Sequence, residues 1–369
     1  MAMSRTSETS GPTQQEEGPS VDQVMNDLLG DLAASIGVLV TDLGLRTGLW
    51  RSMRGAGWLK IPDLATGSGV AAPLVREWVR SQSAAGYLSY DAATDSYALP
   101  EPVAIALLDA PGGAMVAACT EMFQSMLASY DDLVASFTAG TGFGWHQRDR
   151  HHWHGTDRLT RAQLAPELIA AAIAEIPGVA AALAAGGRIL DVGCGFGFPT
   201  AAMAQAFPAA TAVGIDYHRT SIDEARATAE RAGVADRTSF AVASAADPPG
   251  SDYALVTYFD SLHDFGDPIA ALRAARSALA PGGAVLVCDN DAAEQLVDNL
   301  NPIGRMYYGV STLICTPNAI SQHSADSPEP LGTYAGAGKI IEVARAAGFS
   351  RARRLDLPGA LNLFLDLRP

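Results

Sequence analysis

The stretch LDVGCGFGF, Leu190 to Phe198, limits the architecture of this chain more than any other. An apolar run closes on Asp191, and glycines follow at 193, 195 and 197. Pro199, a favoured first-turn residue, then opens a helical pattern. Glycines at a strand-to-helix turn let the backbone turn sharply and let a ligand lie close against it. Such a turn belongs to an α/β sheet, and the flanking sequence agrees. From about Gly187 to Pro369 the strand-like runs RILDVG, TAVGIDY, TSFAVA, YALVTYF, AVLVCD, RARRLDL and NLFLDL alternate with helical segments. That alternation predicts an α/β fold with a doubly wound, mostly parallel seven-stranded sheet and helices on both faces. The G-x-G-x-G spacing leaves the loop's purpose open. A dinucleotide fingerprint puts its third glycine at position 198, which is Phe198 here. A purely structural glycine turn is the other alternative. Cys194 reads as a small residue filling the turn rather than as a reactive thiol. Asp216 closes the next strand, 19 residues beyond Gly197, where a carboxylate can accept both ribose hydroxyls.

Ahead of this domain the pattern changes. Residues 1–20 are polar, lack an apolar core and read as a disordered tail rather than a signal peptide. In residues 21–110, apolar positions of VMNDLLGDLAASIGVLVTDLGL recur at helical spacing. A short helix at Pro62–Thr66, a Gly/Ser turn, a helix over Ala72–Ala84 and a hairpin broken at Asp91–Asp95 follow. Helix–turn–helix and hairpin make a winged-helix pattern, so this part is expected to be an α-helical winged-helix domain. Residues 111–185 read as a helical linker with one interruption, GTGFGWHQRDRHHWHGTDRLT, which holds four of the seven histidines. Residues 186–369 form the glycine-loop domain.

Charge and cysteine usage narrow the partners. The chain has 369 residues with 25 Lys+Arg against 40 Asp+Glu, a net charge of −15. That balance argues against nucleic acid, which needs clustered cations for phosphate. Residues 20–110 alone carry six basic and ten acidic side chains. Cys119, Cys194, Cys288 and Cys315 form no CxxC pair, which suits reduced thiols in a cytoplasm. The Ala-rich run Leu168–Ala185 is broken by Glu175 and Pro177, so it reads as two short helices rather than a membrane span.

Asp191, Gly193, Gly195, Gly197, Asp216 and the late segment SALAPGGAVLVCD together resemble the class I S-adenosylmethionine-dependent methyltransferases. With a winged-helix part in front, the chain is similar to the small-molecule O-methyltransferases, which are typically dimers. The resemblance implies a Rossmann-like methyltransferase sheet, S-adenosylmethionine as cofactor, a small-molecule acceptor and a homodimer. It implies a cofactor site built from Asp191, Gly193, Cys194, Gly195, Gly197, Asp216, Tyr217, Ser244, Ala245 and Asp260. Ser244 stands where the family often has an acidic residue for the adenine amino group.

Ligands of an open α/β sheet sit beyond the carboxyl ends of its strands. DSLHDFGDP follows the fourth strand there, and CDNDAAE ends the fifth. The LHDF stretch looks like the LHDW segment whose histidine is the family's general base. By that resemblance His263 takes the acceptor's proton and Asp289 orients it; a structural His263 is the alternative. His146, His151, His152 and His154 could chelate a metal, but no acidic or cysteine partner stands at recognised spacing. The expectation is no metal. Trp145, His146, His151, His152 and Trp153 are instead expected to enclose the acceptor, with Asn290 and Tyr307, the latter from a Leu296–Gln322 segment expected to form two helices. A thiol or thioether acceptor stays open, since thiols ionise without much help. So do a winged-helix regulator and a cofactor-binding enzyme that transfers no methyl group.

Overall fold

Ser20 sets the start of the first helix by accepting the Gln23 N–H with its Oγ. The computed structural model describes residues 18–324, 327–357 and 362–369. Most of the expected tail, residues 1–17, lies outside the described residues. The chain divides into two compact units, one ending at Ala104 and one running from Ile105 to Pro369.

The first unit contains α1 (Val21–Arg46), α2 (Leu49–Met53), α3 (Ile61–Ser68), α4 (Ala72–Ala84), β1 (Ser89–Asp91), β2 (Ser96–Ala98) and α5 (Glu101–Ala104). The hairpin β1–β2 is antiparallel, and Leu59 bridges to Tyr97 beside it. Its core centres on Trp50 and Trp78, packed edge to face at 4.7 Å. Their indole N–H groups donate to the Thr41 and Val40 carbonyls of α1 (3.0 and 3.1 Å), so both rings satisfy their polar edge while buried. Much of α1 is uncovered: Met25, Leu29, Leu32, Ile36, Leu39 and Leu43 are all exposed. They recur at alternating steps of four and three, the a/d rhythm of a coiled-coil seam. By length and composition α1 could also cross a membrane, with a mean hydropathy of 1.6 over a stretch only 17% buried.

The second unit opens with a π turn at Ile105–Asp109 and the helices α6 (Gly112–Ala128), α7 (Tyr130–Ala139), α8 (Arg150–Gln163), α9 (Pro166–Ala174) and α10 (Val179–Ala184). Residues 111–185 therefore fall within the same compact unit as the sheet. Then follow β3 (Arg188–Val192), α11 (Phe198–Ala206), β4 (Thr211–Asp216), α12 (Arg219–Arg231), β5 (Thr238–Val242), β6 (Tyr253–Phe259), α13 (Pro268–Ala278) and β7 (Leu279–Asn290). The chain closes with α14 (Pro302–Val310), α15 (Thr316–Ser321), α16 (Gly336–Ala346), β8 (Arg351–Arg354) and β9 (Asn362–Arg368). The sheet order is β5-β4-β3-β6-β7-β9-β8, parallel from β5 to β7, with β9 antiparallel to β7 and to β8. Alternate residues feed opposite faces. Ile189, Leu255 and Leu286 pack with Ile169, Ile173 and Met203 on one side. Leu190, Val256 and Val285 pack with Leu272 and Ile340 on the other. The strand order reverses between β3 and β6, and the crevice at such a switch point is where open α/β sheets bind ligands.

Two expectations change in detail. The strand expected at AVLVCD begins earlier, at Leu279, with a register shift opposite Tyr253 and Leu255 that absorbs Pro281, Gly282 and Gly283. The two helices expected in Leu296–Gln322 are α14 and α15, joined by a π turn at Ser311–Cys315 into one helical run.

Candidate active site

The glycine loop caps β3. Gly193, Gly195 and Gly197 take φ of +72°, +51° and +75°, the left-handed region that other residues enter only at a cost. Gly193 and Cys194 donate their N–H groups to the Ile215 carbonyl (2.8 and 2.9 Å), clamping the loop on β4. Gly195 donates to Asp216 Oδ2 (3.1 Å) and His218 to Asp216 Oδ1 (2.8 Å). Each Asp216 oxygen thus keeps lone-pair capacity for a second donor. A Cβ on Gly195 would meet nothing within 4 Å, so the loop is open on that side. Asp191 lies beneath it, 1% exposed, accepting from the Thr200 hydroxyl (2.5 Å) and the Thr257 hydroxyl (2.9 Å). Asp191 braces the loop, α11 and β6 together. Burial raises both Asp191 and Asp216 to about 6. Burial also pushes the Cys194 thiol well up, and its sulfur packs in the core. Ala243 N–H donates to the Asp216 carbonyl (3.1 Å), so Ser244 and Ala245 leave the sheet beside Asp216. Ser244 Oγ accepts from Ala246 N–H and turns the chain there. The Tyr217 hydroxyl donates to Asn318 Oδ1 (3.4 Å).

Beyond β6, Asp260 holds φ +51°, an uncommon backbone state for a non-glycine residue and one that gathers at functional sites. Its carboxylate accepts from Asn290 Nδ2 (3.1 Å). A 3-10 turn at Leu262–Asp264 carries His263, which is 2% exposed. Its Nδ1 lies 2.9 and 3.0 Å from the two oxygens of Asp289, at the end of β7. Its Nε2 lies 3.6 Å from Asp264 Oδ1. Burial pulls the imidazole down, but Asp289 and Asp264 together outweigh it and hold His263 well above the ordinary histidine range. Burial raises Asp260 to about 6 and also raises Asp264. The structure therefore brings His263, Asp289, Asp260 and Asn290 together.

The histidine-rich segment is less of a loop than expected. Asp149 caps α8 by accepting the His151 and His152 N–H groups (3.0 and 3.4 Å), so His151, His152, Trp153 and His154 are helical. Gly155 does not break the helix. A Cβ there would stand 2.8 Å from Met122 Cγ and 2.9 Å from the Ala118 carbonyl, so its absence lets α8 lie against α6. The helical turn sends the rings apart. His152 is fully buried, edge-on to Trp145 at 4.7 Å, with no partner for either ring nitrogen among the described residues. Burial, then the Arg148 charge, hold it well below the ordinary histidine range, so it is neutral. Trp153 donates to the Trp145 carbonyl (3.1 Å) and packs on His218 at 4.5 Å. His146 faces Tyr217 at 6.0 Å. His151 and His154 line a polar cavity of about 460 Å³ with Glu121, Arg150, Asp157 and two further arginines. Tyr307 stacks on Tyr334 at 5.2 Å.

Three residues lie outside the expected catalytic and binding sets. Arg148, 3% exposed, donates to the Leu313 carbonyl (2.8 Å) and lies over the Phe143 ring, while its Nε has no partner among the described residues. Asp264 and Cys315 stand beside His263 Nε2. Only Asp264 carried a signal, its adjacency to His263. Nothing local marks Arg148 or Cys315, because Arg148 meets Leu313 across 165 residues and Cys315 meets His263 from a different element of the fold.

Two domain families match. A methyltransferase domain covers residues 183–332, and an Rv2258c-like winged HTH domain covers residues 34–108. The 27-O-demethylrifamycin SV methyltransferase of Amycolatopsis mediterranei is 36% identical over 109 residues, 29% of this chain and 40% of that protein. The chain spans less than half the length of such curated relatives, from 24% to 42%. Among solved structures, an O-methyltransferase candidate of Nostoc punctiforme superposes with a TM-score of 0.70 at 20% identity, over 96% of this chain and 100% of that one. Human N-acetylserotonin methyltransferase, solved with SAM, gives 0.64 at 16% identity, over 95% and 99%. At these identities the likeness establishes the fold, a Rossmann-like methyltransferase sheet preceded by a helical winged region.

Proposed function

Since the chain carries a methyltransferase domain behind an Rv2258c-like winged HTH domain, we propose that it is a methyltransferase taking S-adenosylmethionine as cofactor and a small-molecule oxygen as acceptor. The observation that carries this reading is the Asp289–His263 pair standing at the switch point beside the glycine loop. The residues present fit the cofactor. Gly195 leaves open space, Asp216 keeps capacity for two hydroxyl donors, and Asp260 adds negative charge for a cationic ligand. Tyr217, Ser244 and Ala245 flank Asp216 on the same edge. When bound, S-adenosylmethionine would supply a sulfonium methyl for transfer to the acceptor.

The chain's own residues then handle the proton. Asp289 is a positioning residue: it holds Nδ1–H and directs Nε2 toward the acceptor. His263 accepts the acceptor's proton at Nε2, which requires the neutral ring. Trp145, His152 and Trp153 enclose the acceptor and exclude water, with Asn290 and Tyr307 at its margins. The orphaned nitrogens of His152 and Arg148 support a polar acceptor, because buried donors or acceptors without partners cost roughly 1–3 kcal/mol each until something satisfies them.

One observation favours a second reading. Asp289 and Asp264 favour the protonated His263 ring, and a cation cannot accept a proton. A thiol acceptor ionises more readily and would be stabilised by that cation. Incubating the chain with labelled S-adenosylmethionine and a metabolite extract tests both readings. Label in an ether supports the first and label in a thioether the second. No transferred label refutes methyl transfer and leaves a cofactor-binding protein of other chemistry.

The partner of α1 is read as a second copy of the chain. Its 3–4 seam faces one way, while Asp27 and Asp31 occupy other faces, unlike a span that is apolar all round. The winged helix is read as part of that subunit interface rather than a DNA reader, and the site of action as the cytoplasm.

A further inference from the structure

His263 Nε2 has neighbours that proton transfer does not need. A carboxylate oxygen of Asp264 and the sulfur of Cys315 converge on it, all three atoms within 4.8 Å of one another. Asp264 Oδ1 is buried and has no hydrogen-bond partner among the described residues. Cys315, 6% exposed, ends the π turn Ser311–Cys315, and such turns gather at functional sites. Its sulfur lies within 4.8 Å of both the His263 nitrogen and the Asp264 oxygen. The opposite ring nitrogen is held by Asp289.

This is the donor set of a metal site. A metal-binding imidazole ordinarily gives its second nitrogen to a carboxylate, which fixes the ring and its tautomer. One nitrogen, one sulfur and one oxygen suit Zn²⁺, and three protein ligands leave a fourth position for water. Charge points the same way. Asp260, Asp264 and Asp289 all stand within 4.0 Å of the His263 ring nitrogens. We propose that His263 Nε2, Asp264 and Cys315 bind a thiophilic divalent cation of the Zn²⁺ class, with Asp289 orienting the imidazole. On binding, the Cys315 S–H bond breaks, the metal–sulfur bond forms, and the proton passes to solvent, as does any proton on Nε2. The consequence for activity rests on the methyl-transfer reading: a cation on Nε2 removes the base and makes the site inhibitable by zinc.

The test uses the full chain, reduced and stripped of metal, titrated with Co²⁺ while the near-ultraviolet thiolate-to-cobalt absorption is followed, with Zn²⁺ as competitor. One Co²⁺ per chain and a band that Zn²⁺ displaces are expected. Cys315→Ser should lose the band and Cys119→Ser should keep it. Asp289→Asn should keep it with about 10–100-fold weaker affinity, the usual effect of losing an orienting carboxylate. A wild-type chain that binds no Co²⁺ or shows no thiolate band overturns the proposal, as does a band that survives Cys315→Ser. If Cys315→Ser does not fold, the wild-type spectrum together with Asp264→Asn decides; unchanged binding in Asp264→Asn counts against the site. None of these measurements uses methyl transfer, so they fail or succeed separately from that reading.

Discussion

At the scale of single residues, the site turns on which groups carry protons. His263 is held above the ordinary histidine range by Asp289 and Asp264. A base acts only when neutral, so kcat should rise with pH through a value above about 6.5 rather than at it. Asp289→Asn removes the main stabiliser of the cation. The inflection should then move to lower pH, and the plateau should fall because the ring is no longer oriented. His263→Ala should lose about 10²–10⁴-fold in kcat with S-adenosylmethionine affinity little changed. A mutant within about threefold of wild type at every pH would leave His263 a positioning or structural residue. Asp216 gives a second prediction. Its pKa is about 6 in the folded chain against a reference near 4. A raised carboxyl binds its proton more tightly when folded, so this group's contribution to stability falls as pH rises from about 4 to 6. The cationic cofactor favours the ionised form, so its affinity should increase over that same window and its binding should release protons at pH 5–6. Calorimetry in buffers of different ionisation enthalpy measures the release. Asp216→Ala should cost about 2–4 kcal/mol of affinity, two hydrogen bonds to a charged group less partial replacement by water. These residues were legible because strand ends are local features, and Asp191, Asp216, His263 and Asp289 all sit at them. That the Asp191 oxygens are taken by Thr200 and Thr257 was not legible, since the three residues come from different elements.

At the scale of elements, regular periodicity translated well and the histidine-rich stretch did not. The expected helix Ala72–Ala84 is α4 residue for residue, because its apolar positions, its early Pro73 and its lack of internal glycine all agree. In α8 the polar surface and Gly155 imitate a loop. What makes it a helix is the Asp149 cap and close packing on α6, and only the first is written locally. Gly155→Ala weighs these terms against each other. Alanine gains about 1 kcal/mol of intrinsic helix propensity. Its methyl would stand 2.9 Å from the Ala118 carbonyl, which is backbone and cannot swing aside. Overpacking costs about 1–3 kcal/mol, so packing wins and the variant should be destabilised by a net 0–2 kcal/mol, read from a shift in urea midpoint at constant m. Because α8 carries His152 and Trp153, acceptor KM should rise while cofactor affinity holds. A stabilised variant would mean that α6 and α8 have slack between them.

At the scale of the whole molecule, charge and the α1 seam govern partners. A winged helix invites a DNA reading, yet residues 20–110 carry six basic against ten acidic side chains. Arg80, one of two arginines on α4, already pairs with Glu77 at 3.2 Å. A protein that gains affinity by neutralising several phosphates needs more free cations than this. No salt-sensitive binding to duplex DNA is expected at sub-micromolar concentration. The apolar seam makes the opposite demand. Each large apolar side chain fully removed from water contributes about 1.5–3 kcal/mol, and six of them line α1 from Met25 to Leu43. A two-fold interface places the same seam of each copy against the other and doubles the return from every residue. Light scattering should therefore give twice the 38.4 kDa chain mass. Leu32→Glu with Ile36→Glu sets like charges facing their own symmetry mates and should yield monomers whose glycine-loop unit still binds cofactor. A wild-type monomer that sediments with anionic vesicles would assign the seam to a membrane surface instead. The charge argues against that outcome, since a chain at −15 is repelled by such a surface unless the apolar face alone suffices.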